Sequence, residues 1–420
     1  MAQKILARAA GRASVDVGEI VTCAVDLAMF HDSSGPRRLA PMLERLGARL
    51  EPRPGRAGAR SLRTRRRRRS RRIVRITRDW AAETGLKHFY DSQGICHVVL
   101  PERGHLRPGM FCIGGDSHSP TGGAFGAYMF GVGSTEMLGA VVTGEIWVRV
   151  PRTIRYRFDN RLPDGVTAKD MMLMLIGRFG MAGADYQAIE YAGTAVEHLP
   201  MAERMTLSNM GAEIGAQAAM VAADATTHAW LPESRCPRPE INLAAGHGDD
   251  GAELTEARLR CPPVVAAVAW PHSPANARTI EDCESQRIDV AYLGACTGAK
   301  LVDLRAAAQV LRHRRADPSV ALLVAPASVR ELDTARSEGT LQVLLDAGAT
   351  LLPSACGACA GYGRSIPAGA RVVSSTARNF QGRMGADDAR VWLASPYTVA
   401  ASAVAGHLAD PRPMLAGRPA

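Results

Sequence analysis

Ile288-Asp-Val-Ala-Tyr-Leu-Gly-Ala-Cys-Thr-Gly298 reads as a buried strand ending in a small-residue turn that carries one cysteine. A short apolar run bounded by glycine fits a strand covered on both faces. Open α/β sheets gather ligands at the carboxyl ends of such strands, so Cys296 sits at the edge of a site. Sixty residues after Cys296 comes Cys356, in Ser354-Ala-Cys-Gly-Ala-Cys-Ala-Gly-Tyr-Gly363, which follows a second apolar pair, Leu351 and Leu352. Its C-x-x-C spacing lets Cys356 and Cys359 hold one metal centre from a single turn. Taken alone the pair is open to three bland readings: a redox dithiol, half of a zinc site, or no site. Joined to Cys296, it suggests an iron–sulfur cluster with one iron lacking a protein ligand, the open position that Lewis-acid chemistry needs.

Length and composition set the frame. A chain of 420 residues, 46% hydrophobic and with 41 glycines, fits a loop-rich α/β enzyme of two or three domains. Nine scattered cysteines, an odd number, argue for a reducing cytoplasm rather than a disulfide framework. Cys23, Cys96, Cys112, Cys236, Cys261 and Cys283 read as structural or incidental. The N-terminus is not a secretory signal, and no apolar run reaches membrane-spanning length.

The net charge of +10 belongs to one segment. Residues 51–78 hold thirteen arginines and one acid, leaving 38 of the 51 basic and 40 of the 41 acidic residues elsewhere. Within it, Glu51–Arg72 includes five consecutive arginines, Arg65–Arg69, and almost nothing to bury, so neither a strand nor a core helix is expected there. Three readings stay open: a solvated loop outside the folded domain, a polyanion patch, or a local coding artefact. The arginines lack interleaved aromatics, so a nucleic-acid partner is not expected.

Elsewhere the polar residues cluster at predicted strand ends. Val15–Ala28 alternates as a strand does and leads to His31-Asp32-Ser-Ser-Gly-Pro36, which is either a site loop or a capped helix start. Arg37–Leu46 and Ile73–Leu86 read as helices, and His88–Pro101 as a loop entering a strand. Met110–Ile113 is a short strand opening into Gly114-Gly-Asp116-Ser117-His118-Ser-Pro-Thr-Gly-Gly123. Asp116 beside His118 would make an oriented acid/base pair, and the glycines free backbone N–H groups for carboxylate oxygens. The glycines up to Gly133 lack the third position of a dinucleotide loop. Val141–Val150 reads as a strand. Thr167–Gly177 reads as a helix with Thr167 as N-cap and Asp170 at N3. Another helix is expected to open at Leu207, with Asn209 and Glu213 on one face. Arg378 and Arg383, on a loop after a strand, suit a carboxylate clamp but also fit plain surface charge.

In order along the chain, Gly115-Asp-Ser-His-Ser-Pro-Thr-Gly-Gly123, Met210-Gly-Ala-Glu-Ile-Gly-Ala216, the Cys296 and Cys356/Cys359 motifs and Arg378-Asn-Phe-Gln-Gly-Arg383 resemble the aconitase superfamily. The likeness is greatest to the large subunits of its two-subunit dehydratases, and it covers nearly everything outside Glu51–Arg72. The resemblance implies a three-domain α/β/α architecture around a central cluster cleft. Its domains would span 1–150, with the Asp-Ser-His motif and the anomalous 51–72 segment; 151–284; and 285–420, with the cysteines and the arginine clamp.

It also implies a 4Fe–4S cluster on Cys296, Cys356 and Cys359. Asp116, His118 and His97 would assist proton delivery to the departing hydroxyl. Ser117, Asn209 and Glu213 would line the site, Arg378 and Arg383 would grip carboxylates, and His31 matches a substrate-loop position. The implied activity is a hydro-lyase isomerising a hydroxy diacid of the isopropylmalate kind, in leucine biosynthesis. Homoaconitate, citramalate or dimethylmalate are alternative substrates, and a degenerate, polyanion-binding member is the non-enzymatic alternative. The carbon-bound proton is removed in this family by a serine on a separate swivelling domain, so a small-subunit partner is expected. Three departures stand out: Ala295 and Gly298 flank Cys296 where the family has Ser and Asn, Ala377 replaces an Asn, and an Asp-His pair expected near residues 51–72 is missing.

Overall fold

The computed structural model describes residues 1–48, 57–59, 68–231, 259–260, 264–283, 286–361 and 366–416; at 57–59, 68–71 and 259–260 it describes the backbone alone. The architecture is α/β, as the strand-end pattern predicts. Its largest sheet has seven strands, with Val290–Leu293 near the middle, flanked by Arg371–Ser374 and Ala321–Val324, both parallel to it. All four residues of Val290–Leu293 are buried, as a strand covered on both faces requires. At one edge Ala267–Ala269 runs antiparallel to Arg390–Ala394, and Ala277–Thr279, antiparallel to it in turn, closes the sheet.

A second sheet of five parallel strands comes from the first third of the chain. Its order is Phe89–Tyr90, Ala57–Ala59, Leu27–Phe30, Phe111–Gly114 and Tyr128–Gly131. A third, four-stranded parallel sheet runs Ala218–Val221, Ala188–Ala192, Thr153–Arg157 and Leu259–Arg260. The sheets pack closely. An added Cβ on Gly123 would come within 1.9 Å of the Ala219 carbonyl oxygen, so only glycine lets the loop after Phe111–Gly114 lie on the third sheet.

Several local expectations hold. Pro36–Leu46 is a helix, and Ala168–Phe179 starts at Thr167, with Asp170 completing the capping box. Asp170 Oδ1 also accepts from the Ala267 amide, tying that helix to the seven-stranded sheet.

Others are corrected. His97 lies on a helix, Cys96–Glu102, not on a loop entering a strand. Residues Cys96–Pro101 are all buried, so the run shows no polar side from which a helical period could be read. Within Val141–Val150, the helix Ser134–Thr143 runs on to Gly144, whose left-handed backbone turns the chain into the strand Glu145–Arg149. Leu207 does not open a helix: Met201–Met210 ends there, and Glu213 sits on the following 3-10 turn. Glycine at 211 and 215 permits the tightening that breaks the shared helix face.

The expectation of no strand or helix in Glu51–Arg72 also fails. Ala57–Ala59 pairs with Leu27–Phe30 and Phe89–Tyr90, and a helix runs from Arg68 to Glu83. A charge-free Ala-Gly-Ala triplet is hidden in the segment's average charge. The helix gains its hold further on, where Trp80 is buried edge-on to Phe30.

Candidate active site

Three strand ends converge on Asp116. Phe111–Gly114 delivers it directly, the adjacent Leu27–Phe30 delivers His31, and the helix after Phe89–Tyr90 delivers His97. That helix is fixed at its start, where the Ile95 amide donates to the Ala327 carbonyl. Asp116 Oδ1 accepts from His97 Nε2 at 2.7 Å and from the His118 amide at 2.9 Å, while Oδ2 faces His31 Nε2 at 3.4 Å. Burial alone would raise the Asp116 pKa, but these histidine contacts hold it well below the usual carboxylate range. Burial dominates at His97, whose pKa is lowered. A neutral His97 donating from Nε2 to an ionised Asp116 is the arrangement this favours.

His118 completes the expected pair with Asp116 mainly through its backbone; its ring Nδ1 is 3.6 Å from Asp116 Oδ1. Its Nε2 lies 3.0 Å from Glu213 Oε1 instead. Burial and Arg378 pull the His118 pKa down, but Asp116 and Glu213 outweigh them and it is raised. Glu213 is held ionised by His118 and by Arg378, whose Nε donates to Oε1 at 2.6 Å. Arg378 Nη1 donates to Ser117 Oγ at 2.9 Å. The structure thus joins Asp116, Ser117, His118, His31, His97, Glu213 and Arg378 in one charged network. Gly115, Asp116, Ser117, Pro120 and Arg378 are among the walls of a cavity of about 400 Å³. A larger cavity of about 670 Å³ meets it at Gly131, Val132, Tyr186 and Gln217, but it carries none of the network's groups.

The cysteines face this network from the seven-stranded sheet. Cys296 follows Val290–Leu293 after Ala295, whose backbone is left-handed at φ 69°. Asn209 Nδ2 donates to Cys296 Sγ at 3.1 Å and to Thr121 Oγ1 at 2.7 Å, bridging the Asp-Ser-His loop to the cysteine. Cys356 and Cys359 bracket the start of a 3-10 turn, Gly357–Ala360. Arg383 Nε donates to the Cys359 carbonyl at 2.9 Å, so one edge of its guanidinium supports the cysteine loop.

The donor set fits a cluster. None of the three cysteines is part of a disulfide. Burial, then the charge of Cys359, pushes the Cys296 pKa up to about 12, and burial raises that of Cys359. Buried thiols of this kind stay protonated until a metal takes the proton's place. The Asn209 N–H at the Cys296 sulfur suits an anionic group. His97, Asp116 and His118 also bring ligand-type atoms within 4.8 Å of one another. Both histidines are engaged by carboxylates there, which suits proton handling.

The sequence reading missed Lys169, Lys300, Thr297 and Ser375. Lys300 Nζ donates to the Cys296 carbonyl at 3.0 Å and pairs with Asp303 at 2.9 Å. A signal was present: both lysines stand at helix N-termini, where the helix dipole disfavours a cation. The departures also find their setting. Gly298 lies so close to Ser375 that an added Cβ would come within 2.3 Å of its side chain, and Ala377 is buried in an apolar cluster with Leu393.

One consequence concerns pH. Burial depresses the His31 pKa, but Asp116 and Asp32 outweigh it and raise it to about 9. A raised folded-state pKa stabilises fully below the unfolded value, about 6.5, and the contribution is lost as pH rises through about 9. In cluster-stripped protein, His31→Gln should cost up to about 3 kcal/mol in urea unfolding at pH 6, and clearly less at pH 9.5. Equal losses at both pH values would refute the assignment.

Comparison with known proteins shows the family. The model of the aconitase family (aconitate hydratase) matches residues 55–287 and 275–406. The chain is 39% identical over 424 residues to the 3-isopropylmalate dehydratase large subunit 1 of Methanopyrus kandleri, covering 99% of both chains. It is 37% identical over 414 residues to the probable 3-isopropylmalate dehydratase large subunit of Methanothermobacter thermautotrophicus, and 36% over 415 residues to that large subunit in Desulfatibacillum aliphaticivorans, covering 98% of each chain in both cases.

Proposed function

Because the chain belongs to the aconitase family, we propose that it is the large, cluster-bearing subunit of a hydro-lyase, a 3-isopropylmalate dehydratase of leucine biosynthesis. The observation that carries this reading is the Asp116 network facing the cysteine loop, in a chain alignable end to end with such subunits. Isomerising a hydroxy diacid by dehydration and rehydration requires loss of a hydroxyl from one carbon and a proton from its neighbour. A 4Fe–4S cluster on Cys296, Cys356 and Cys359, when bound, supplies a Lewis acid for the substrate's oxygens.

The chain's own residues do the rest. His118, whose protonated form Asp116 and Glu213 favour, protonates the departing hydroxyl. Asp116 orients it and keeps His97 in one tautomer. Ser117 and Arg378 form one edge of the cavity and bind a carboxylate, with Arg383 and His31 as further cationic contacts. Asn209 fixes the Cys296 sulfur. The work is cytoplasmic, in keeping with described cysteines that form no disulfide. No helix among the described residues is long and apolar enough to cross a membrane.

A large subunit implies a small one. We assign the removal of the carbon-bound proton to that partner, which completes the site on its open side. Reconstituted large subunit alone should therefore turn over 3-isopropylmalate at background rate, and adding the small subunit should restore dehydration. The check is ultraviolet detection of the unsaturated product, with citramalate and homoaconitate as competitors. Robust turnover without a partner would place the base on this chain.

A further inference from the structure

Lys169 lies in the first turn of the helix Ala168–Phe179 and is 1% exposed. Its Nζ donates to the Ser375 carbonyl at 2.7 Å, the Thr376 carbonyl at 2.5 Å and Thr297 Oγ1 at 3.3 Å. Two of these acceptors are carbonyls, and Thr297 Oγ1 itself donates to the Ser375 carbonyl, which leaves it free to accept from the lysine. Three acceptors call for three protons, which only the ammonium form carries. None of the three acceptors bears a charge, and among the described residues no carboxylate lies within ion-pair distance of this nitrogen. A buried ammonium so placed is costly without a counter-charge.

The three acceptors belong to two loops that matter. Thr297 follows Cys296, and Ser375 and Thr376 lead into Arg378. We infer that Lys169 is the buried counter-charge of the anionic metal–thiolate group on the cysteines and the pin that holds the cysteine loop against the arginine loop. This rests on the cluster reading above. The surrounding electrostatics support it: burial pulls the Lys169 pKa down to about 8, and among the groups pulling it back up are Asp303, Cys296 and Cys359. Lys300, which donates to the Cys296 carbonyl, holds Asp303 in a direct ion pair; Lys169 feels that carboxylate only at longer range. Lys169 therefore acts as a positioning residue that also tunes the cluster.

The test uses anaerobically reconstituted large subunit and reads the cluster rather than turnover. Lys169→Gln keeps N–H donors for the two carbonyls and removes the charge. The rate at which a chelator strips its iron should rise about 10–100-fold, the usual cost of losing a group that supports metal ligands. Its cluster reduction potential, followed by electron paramagnetic resonance, should fall, because the reduced cluster carries more negative charge. Lys169→Arg should stay near wild type on both readouts. Unchanged stripping and potential in Lys169→Gln overturn the inference. If Lys169→Gln does not fold, a folded Lys169→Arg with a wild-type potential supports it, and a Lys169→Arg that also fails to fold counts against it, because charge alone then does not suffice. Failure of the wild-type chain to assemble any cluster would instead sink the cluster reading itself.

Discussion

Cys296→Ser, reconstituted anaerobically with ferrous iron and sulfide, is expected to lose the brown cluster and all dehydration of 3-isopropylmalate. The wild-type chain should hold about four irons per molecule. The size of this effect follows from the position. Cys296 stands at the end of a central, fully buried strand, on a turn whose left-handed Ala295 backbone fixes the direction of the thiol. An L-residue adopts such a backbone at a cost, which surrounding packing must maintain. Two other described cysteines are held by elements of their own. Cys96 is fully buried within the helix Cys96–Glu102, and Cys283 donates to the Thr279 carbonyl outside the cysteine loop. Serine keeps the volume but offers a poor ligand to iron. Cys283→Ser is the control and should retain cluster and activity. Stoichiometric zinc without sulfide in the wild-type chain, or a full cluster in Cys296→Ser, would refute the assignment.

The sites at strand ends were legible in the sequence for a physical reason. A strand between two layers must be apolar, so a sudden Gly-Gly-Asp-Ser-His or Gly-Ala-Cys-Thr-Gly marks where the backbone leaves the sheet. What stayed hidden depends on tertiary contacts. His97 sits on a helix buried all round, which carries no period. The partner of the His118 ring is Glu213, 95 residues away, and no spacing rule reaches that far. Lys169 and Lys300 went unnoticed because lysine is usually a solvated charge. Ala57–Ala59 was masked by its arginine neighbours, although a parallel strand of three residues needs only backbone hydrogen bonds and small side chains. Gly298 and Ala377 read as departures from the family. In the fold one accommodates a close approach of Ser375 and the other fills an apolar cluster.

Asp116→Asn, assembled with cluster and small subunit, is expected to lower kcat by about 10²–10⁴-fold while leaving the cluster spectrum and the fold intact. The carboxylate accepts from His97 Nε2 and the His118 amide on one oxygen and faces His31 Nε2 with the other. An amide can accept on only one of these atoms. Its NH₂ would then face a ring N–H, and either His97 or His31 must turn or change tautomer. The loss is thus one of proton placement, not of charge alone. Glu213→Gln separates the two contributions. It removes an anion that raises the His118 pKa and leaves Arg378, which lowers it, without its carboxylate partner. His118 should then lose its proton at lower pH. The rate, which needs the protonated form, should fall off earlier on the alkaline side of the pH profile, and at low pH the deficit should narrow. An alkaline limb that does not move in Glu213→Gln would remove His118 from the acid's role, and unchanged kcat in Asp116→Asn would return the whole network to structural support.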